Sequence, residues 1–336
     1  MSLICTSSRV EEIKIDTGLT ARLKIENYTI AGDSPLGLLR MNLPSGPHRP
    51  PIILVHGFAQ NRYSWHCSQR SMQGWLAKQG YDVWNLELRG HGNSRLNGMS
   101  GANSFDDYIA DMTCAAQAIP QPAFWIGHSL GGGVLYATAA TIKPLRCRGV
   151  IGIGATYLLG QANWLMKFLG HTTHHLQKMF GATNKVQIKT EIGGRFLSKI
   201  YGLSDILGYT FPLSGWWPGS VEPELIEERL RLGFDWTSVQ IWSEMSKWIT
   251  QGKFPYEEQW KKVDVPLLVL LGDEDHLLTP TDGQPAYHRS GSTDKELIIL
   301  DDFHHETHWG HLDIILGKLA QKHIWTTIDG WLQKRI

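Results

Sequence analysis

Between Phe124 and Tyr136 an apolar run, Phe124-Trp125-Ile126, passes through Gly127-His128-Ser129-Leu130-Gly131 into a helical pattern. A serine at the middle of such a strand-turn-helix junction is exposed on a strained backbone, and small residues two before and two after it let the chain turn without collision. Gly127 and Gly131 fill those places, so Ser129 is the predicted nucleophile. Attack on a carbonyl also needs donors aimed in advance at the charge that develops on its oxygen. The N–H of Leu130 at the helix start supplies one. The N–H of Phe58, in the segment Val55-His56-Gly57-Phe58 that follows an earlier apolar run, supplies the other.

A nucleophile in this setting takes its acid and then its base from later in the chain. After a strongly apolar run stands Gly272-Asp273-Glu274-Asp275-His276, at the kind of strand end where sites gather in open α/β sheets. Asp275 is preferred over Asp273, and the neighbouring acids read as turn charges or helix caps. Four histidines crowd the segment just after the last apolar run: His304, His305, His308 and His311. His311 is preferred as the base, because Gly310 precedes it and the apolar Leu312-Asp313-Ile314-Ile315-Leu316 behind it can hold an imidazole in register. The recurrence of His305, His308 and His311 at three-residue intervals is also the spacing of a metal site. No cysteine ligand lies near, and no metal or cofactor is expected. In the preferred reading His311 takes the proton of Ser129, Asp275 fixes the imidazole tautomer, and an acyl-enzyme is later opened by water.

These residues need a scaffold. Short apolar runs at 51–55, 81–86, 123–126, 149–153, 266–271 and 296–300 alternate with helical stretches, and segments around Glu12–Ile15 and Arg22–Tyr28 read as an antiparallel hairpin. That is the pattern of a mostly parallel central sheet flanked by helices. Residues 1–156 and 262–336 are expected to form this core. Residues 157–261 lack strand signals and read as a largely helical cap inserted after the sixth strand. Helical pieces are expected at Trp164–Leu169, Gly193–Tyr201 and Pro223–Leu232. Seven of the 14 tryptophans fall in this insertion, which makes it the predicted apolar pocket wall, with Trp164, Phe168, Trp216, Trp217 and Trp242 as candidate lining residues.

The chain has 336 residues, 42% of them hydrophobic, enough for a large core. Its 32 basic and 32 acidic residues balance, so no overall field favours nucleic acid or a highly charged substrate. The cysteines Cys5, Cys67, Cys114 and Cys147 are scattered and read as structural thiols of a reducing compartment. The N-terminus does not read as a secretory signal, and no run is long and apolar enough to span a bilayer. The expected location is cytoplasmic. Peripheral contact with a membrane surface is left open.

Taken together, these motifs resemble the α/β-hydrolase superfamily over nearly the whole chain outside the cap. Gly80-Tyr81-Asp82-Val83-Trp84, Arg89-Gly90, Ser94-Arg95, Gly272-Asp273-Glu274-Asp275, Pro280, Asp282 and Trp309-Gly310-His311-Leu312-Asp313 narrow the likeness to the acid lipases. The resemblance implies ester hydrolysis on a small apolar or lipid-like substrate, with Ser129, Asp275 and His311 as triad and Phe58 and Leu130 as oxyanion donors. Serine at the elbow sets the chain apart from haloalkane dehalogenases and polyhydroxyalkanoate synthases. A carbon-carbon or amide hydrolase or an acyltransferase with the same triad is the alternative, and a non-catalytic binding protein is the third class.

Overall fold

The computed structural model describes residues 2–143, 145–180, 187–189 and 215–336. Its chain opens with an antiparallel hairpin, β1 (Leu3–Asp16) and β2 (Leu19–Ile30), and a third strand, β3 (Gly37–Asn42). β4 (Pro51–Val55), β5 (Asp82–Glu87), β6 (Ala123–His128) and β7 (Cys147–Ile153) follow. β8 (Gln187–Lys189) and β9 (Trp236–Ser238) form a separate two-stranded ribbon. β10 (Leu267–Gly272) and β11 (Lys295–Leu300) complete a nine-stranded sheet in the order β1-β2-β3-β5-β4-β6-β7-β10-β11. All pairings from β5 to β11 are parallel, whereas β1–β2, β2–β3 and β3–β5 are antiparallel.

The apolar runs become the middle of this sheet because helices cover both of its faces, so consecutive side chains are buried on either side. Every residue of β4, β5, β6 and β10 is buried. The chain leaves β4 toward β5 on one side and returns as β6 on the other. Loops leaving the carboxyl ends of β4 and β6 therefore part, and the crevice between them is where such sheets bind ligands.

The insertion follows β7, the seventh strand of the sheet rather than the sixth. β3 accounts for the difference: it is six residues long, and Leu38 and Leu39 sit side by side, which hides the alternation a strand would show. Between β7 and β10 run helices at Trp164–Phe180, Pro223–Leu232, Val239–Gln251 and Glu257–Trp260. The first and third pack closely, for a methyl group on Gly170 would stand 2.7 Å from Ile249 Cδ1. Pro223 begins the second helix as expected for a residue lacking an N–H. The predicted helix Gly193–Tyr201 lies outside the described residues. No helix among the described residues is long and apolar enough to cross a membrane.

A buried ion network ties the hairpin, the insertion and the C-terminal segment together. Arg70, 3% exposed, bonds Asp16 at 2.9 Å, both carboxylate oxygens of Glu222 at 2.8 and 2.9 Å, and the Leu316 carbonyl at 2.6 Å. Its removal strands the buried Asp16 carboxylate. Arg70→Met is therefore expected to lower unfolding free energy by about 3–5 kcal/mol, read from urea denaturation, and a loss below about 1 kcal/mol would show the network to be dispensable.

Candidate active site

Ser129 stands between β6 and the helix Leu130–Thr141 with φ 55° and ψ −127°, a backbone a non-glycine residue adopts at a cost of about 1–3 kcal/mol. Its surroundings hold it there. The Ser129 N–H donates to the Ile153 carbonyl of β7 at 3.1 Å, and its own carbonyl accepts from Gly132 and Thr156, both at 3.0 Å. The flanking glycines are required by space. A methyl group on Gly131 would stand 2.4 Å from the Val55 carbonyl oxygen, and one on Gly127 2.6 Å from the Gly132 nitrogen.

Asp275 and His311 reach this point from the loop after β10 and the turn before the short helix Asp313–Leu316. His311 Nδ1 and Asp275 Oδ2 are 2.7 Å apart, and both residues are buried. The other Asp275 oxygen accepts from the N–H groups of Leu277 at 3.0 Å and Leu278 at 2.8 Å, so the buried carboxylate has partners on both oxygens. With Nδ1 donating to Asp275, His311 presents Nε2 as acceptor, the tautomer a general base needs.

Asp273 and His308 form a second pair beside the first. His308 Nδ1 lies 2.6 Å from Asp273 Oδ2, while Asp273 Oδ1 accepts from the Trp309 N–H at 2.9 Å. The Glu274 N–H adds a bond to the Trp309 carbonyl at 3.0 Å. These contacts bind the acid-bearing loop to the histidine-bearing loop. His305, His308 and His311 do not converge: His305 is paired with Asp301, and the other two face different carboxylates. Among the described residues Asp273, Asp302 and His308 are the group whose ligand atoms come within 4.8 Å of one another.

Phe58 follows β4. The N–H of Leu88 donates to His56 Nε2 at 3.1 Å, which leaves the His56 proton on Nδ1, 2.9 Å from the Gly57 carbonyl oxygen. The imidazole thereby fixes the peptide leading into Phe58. Burial, then the neighbouring His91, pushes the His56 pKa down to about 3, consistent with this neutral form. Leu130 is the first residue of its helix, where N–H groups have no carbonyl four residues back. His128, beside the serine, is also buried and held well below the usual histidine range by desolvation. Its Nε2 donates to the His311 carbonyl at 2.8 Å.

A cavity of about 270 Å³ opens over Ser129 and His311. Its wall is mainly apolar, with Phe58, Leu159, Met166, Trp216, Leu230, Phe234, Trp242 and Met245 among its residues and Gln60 and Thr156 as polar exceptions. Trp216 and Trp242 thus line it as expected. Trp164 and Phe168 do not: they are 68% and 61% exposed on the outer face of their helix, while Met166 turns inward. Trp217 packs on the His308 ring, with centroids 4.4 Å apart, and is not part of this wall. The cavity wall is thus partly aromatic, and Trp164 and Phe168 lie on the opposite phase of their helix from Met166. Sequence reasoning missed Gln60, although it lies two residues after Phe58 in the predicted donor loop.

The insertion is anchored to the site. Leu312 N–H donates to the Gly215 carbonyl at 2.6 Å and Trp217 N–H to Asp313 Oδ2 at 2.9 Å. Burial pushes the Asp313 carboxyl up to about 7 despite the Trp217 donor. On the opposite side, Asp235 N–H bonds the Ala59 carbonyl at 2.8 Å and Asn61 Nδ2 the Leu232 carbonyl at 2.8 Å.

Comparison with known proteins agrees with this architecture. A family model described as the alpha/beta hydrolase fold matches residues 50–312, and the chain belongs to that family. Its sequence is 31% identical over 115 residues to epoxide hydrolase B of Mycobacterium tuberculosis, a match covering 34% of this chain and 31% of that protein. It is 32% identical over 103 residues to a monoacylglycerol lipase of Mycolicibacterium smegmatis, covering 29% and 35%. The matched stretch is thus about a third of either relative's length. Among solved structures, the monoacylglycerol lipase of Paleococcus ferrophilus superposes with a TM-score of 0.64 at 17% identity, covering 90% of this chain and 99% of that one. An esterase from Exiguobacterium antarcticum gives 0.59 at 12%, covering 91% and 98%.

The Asp273–His308 pair makes a prediction about pH. Its hydrogen bond raises the His308 pKa above 6.5, so between 6.5 and the raised value the folded chain binds more protons than the unfolded one. The stability this contributes is complete below 6.5 and fades as pH rises through the folded pKa. The melting temperature of His308→Asn is expected to fall furthest below wild type at about pH 6, with a narrower gap at about pH 9. A gap independent of pH would rule the charged pair out as its source.

Proposed function

We propose that the protein is a carboxylic-ester hydrolase acting on a small ester with an apolar, lipid-like acyl group. One observation carries this reading: the buried Asp275–His311 pair and the elbow serine Ser129 face one mainly apolar cavity. Relatives' names alone do not choose a substrate, since they include an epoxide hydrolase and a monoacylglycerol lipase.

In the reaction, Ser129 Oγ bonds to the acyl carbon while its proton passes to His311 Nε2. The carbonyl π pair moves onto oxygen, facing the N–H groups of Phe58 and Leu130. Collapse expels the alcohol, which takes the proton from His311, and leaves an acyl-enzyme. Water then attacks, giving its proton to the same imidazole, and the acid and free Ser129 are released. Asp275 stays ionised throughout and stabilises the imidazolium. The apolar wall from Phe58 to Met245 accommodates the acyl chain, because such pockets gain affinity from buried apolar area and orientation from a few polar groups.

Nitrophenyl esters of graded chain length test the reading. Ser129→Ala is expected to lower turnover by at least about 10⁴-fold and Asp275→Asn by about 10⁴-fold, with labelling by a fluorophosphonate lost in Ser129→Ala. Labelling of Ser129 without turnover of any ester would favour an amide or carbon-carbon hydrolase or an acyltransferase. Trp242→Ala and Trp216→Ala are expected to shift the preferred chain length, and the outward-facing Trp164→Ala and Phe168→Ala to leave it unchanged. A shift with the outer pair alone would move the acyl site off this cavity.

A further inference from the structure

Arg229 is 1% exposed and has no carboxylate partner among the described residues. It projects inward from the helix Pro223–Leu232, and its Nη2 donates to Ser64 Oγ at 3.0 Å, while Nε and Nη1 are buried without partners among the described residues. A guanidinium can only donate. Ser64 Oγ therefore accepts on that side, and its single proton goes to Gln60 Oε1, 2.9 Å away. With its oxygen committed to Ser64, the Gln60 amide turns its NH₂ end away from that pair. Gln60 belongs to the wall of the cavity that holds Ser129 and His311.

Gly57 shows how near this amide comes to the nucleophile. A methyl group there would stand 2.9 Å from Ser129 Cβ, 3.0 Å from Gln60 Oε1 and 3.2 Å from Gln60 Cδ, so the serine and the amide converge over one bare Cα. The next residue is Phe58, whose N–H is the expected backbone donor. The Gln60 amide, the expected backbone donor and Ser129 are thus gathered around one position, with Oε1 the amide atom nearest Gly57.

We propose that Gln60 is a third donor to the reaction centre, its Nε2 hydrogen bonding to the oxygen that gains negative charge when Ser129 attacks, with Arg229 and Ser64 as the positioning residues that aim it. The inference rests on the reading of Ser129 as nucleophile. Bonds in a chain polarise one another, so a cation at the far end of Arg229–Ser64–Gln60 strengthens the amide as a donor. Burial pushes the guanidinium pKa down to about 10, which leaves it charged at neutral pH. No proton is transferred along the relay. Its work is orientation and charge.

The test compares wild type with Gln60→Met, Gln60→Glu and Ser64→Ala, on a nitrophenyl ester of the preferred chain length and on a trifluoromethyl ketone carrying the same acyl group. The ketone's adduct with Ser129 bears an oxyanion. Gln60→Met is expected to lower kcat about 10²-fold with KM little changed, and to weaken the ketone by a similar factor. Gln60→Glu keeps the acceptor for Ser64 but replaces the donor with a carboxylate oxygen, and should lose at least as much. Ser64→Ala removes one hydroxyl and should give a smaller kcat loss, about 10-fold, which keeps the test decisive where a Gln60 variant fails to fold. Unchanged kcat in folded Gln60 and Ser64 variants, or a rise in KM with ketone affinity intact, would overturn the assignment. The two readings fail differently. Turnover surviving in Ser129→Ala would sink the nucleophile itself, whereas turnover lost there but normal in Gln60→Met would remove Gln60 alone.

Discussion

The left-handed backbone at Ser129 is the constraint from which the rest of the site follows. An unfavoured conformation persists where its surroundings over-determine it, and here β7 takes the serine's N–H while Thr156 and the first turn of the following helix share its carbonyl. For the helix to leave at that angle it must pass against the end of β4, within reach of the Val55 and His56 carbonyl oxygens. That forces glycine at position 131, and the approach of Ser129 to the next loop forces glycine at 57. Ser129 and the loop after β4 therefore cannot be positioned independently. Both depend on β4 and β6 being neighbours in the sheet.

On the other flank the decisive feature is register between two loops. Asp273 and Asp275 are two residues apart, His308 and His311 three, and each acid meets one histidine. Because Asp273 also accepts the Trp309 N–H and Glu274 bonds the Trp309 carbonyl, a slip by one residue would break several bonds at once. The outer pair can be half-exposed and the inner pair buried because the outer one sets the alignment and the inner one is left to orient an imidazole.

Much of this was legible in the sequence where burial on both sides leaves a continuous apolar run, as in β4, β6 and β10. It was not legible where exposure removes the signal. The first ten residues of β1 are mostly exposed, so only the end of that strand showed a pattern, and the six-residue β3 passed unseen. The expectation for Ser129, Asp275 and His311 rested on chain order and strand ends. Separating Asp275 from Asp273, or His311 from His308, depends on the pairing of loops about 36 residues apart, which local spacing merely hints at. The tryptophan content of the insertion indicated an apolar wall but carried no helix phase, hence Trp164 and Phe168 on the outside. Gln60 and Arg229 were hidden for a stronger reason. The bond from Arg229 to Ser64 that links them spans 165 residues, and no local pattern announces it.

The buried imidazoles around the donor loop follow a logic of their own. His56, His91 and His128 are buried, and desolvation drives the first two down to about 3 and about 4 and the third well below its ordinary value. Neutral imidazoles can hold peptides in place, as His56 holds Gly57 and His128 holds His311, without adding a charge that would compete with His311 for a proton. Arg229 is the exception, a cation carried into the same interior at considerable desolvation cost. A carboxylate beside it would offset that cost and also cancel its field a few ångströms away. Left without one among the described residues, it polarises what it touches, and it touches Ser64. A charge that is expensive to bury and directed through one hydroxyl toward the cavity is better explained by what happens at the cavity than by the stability of the fold.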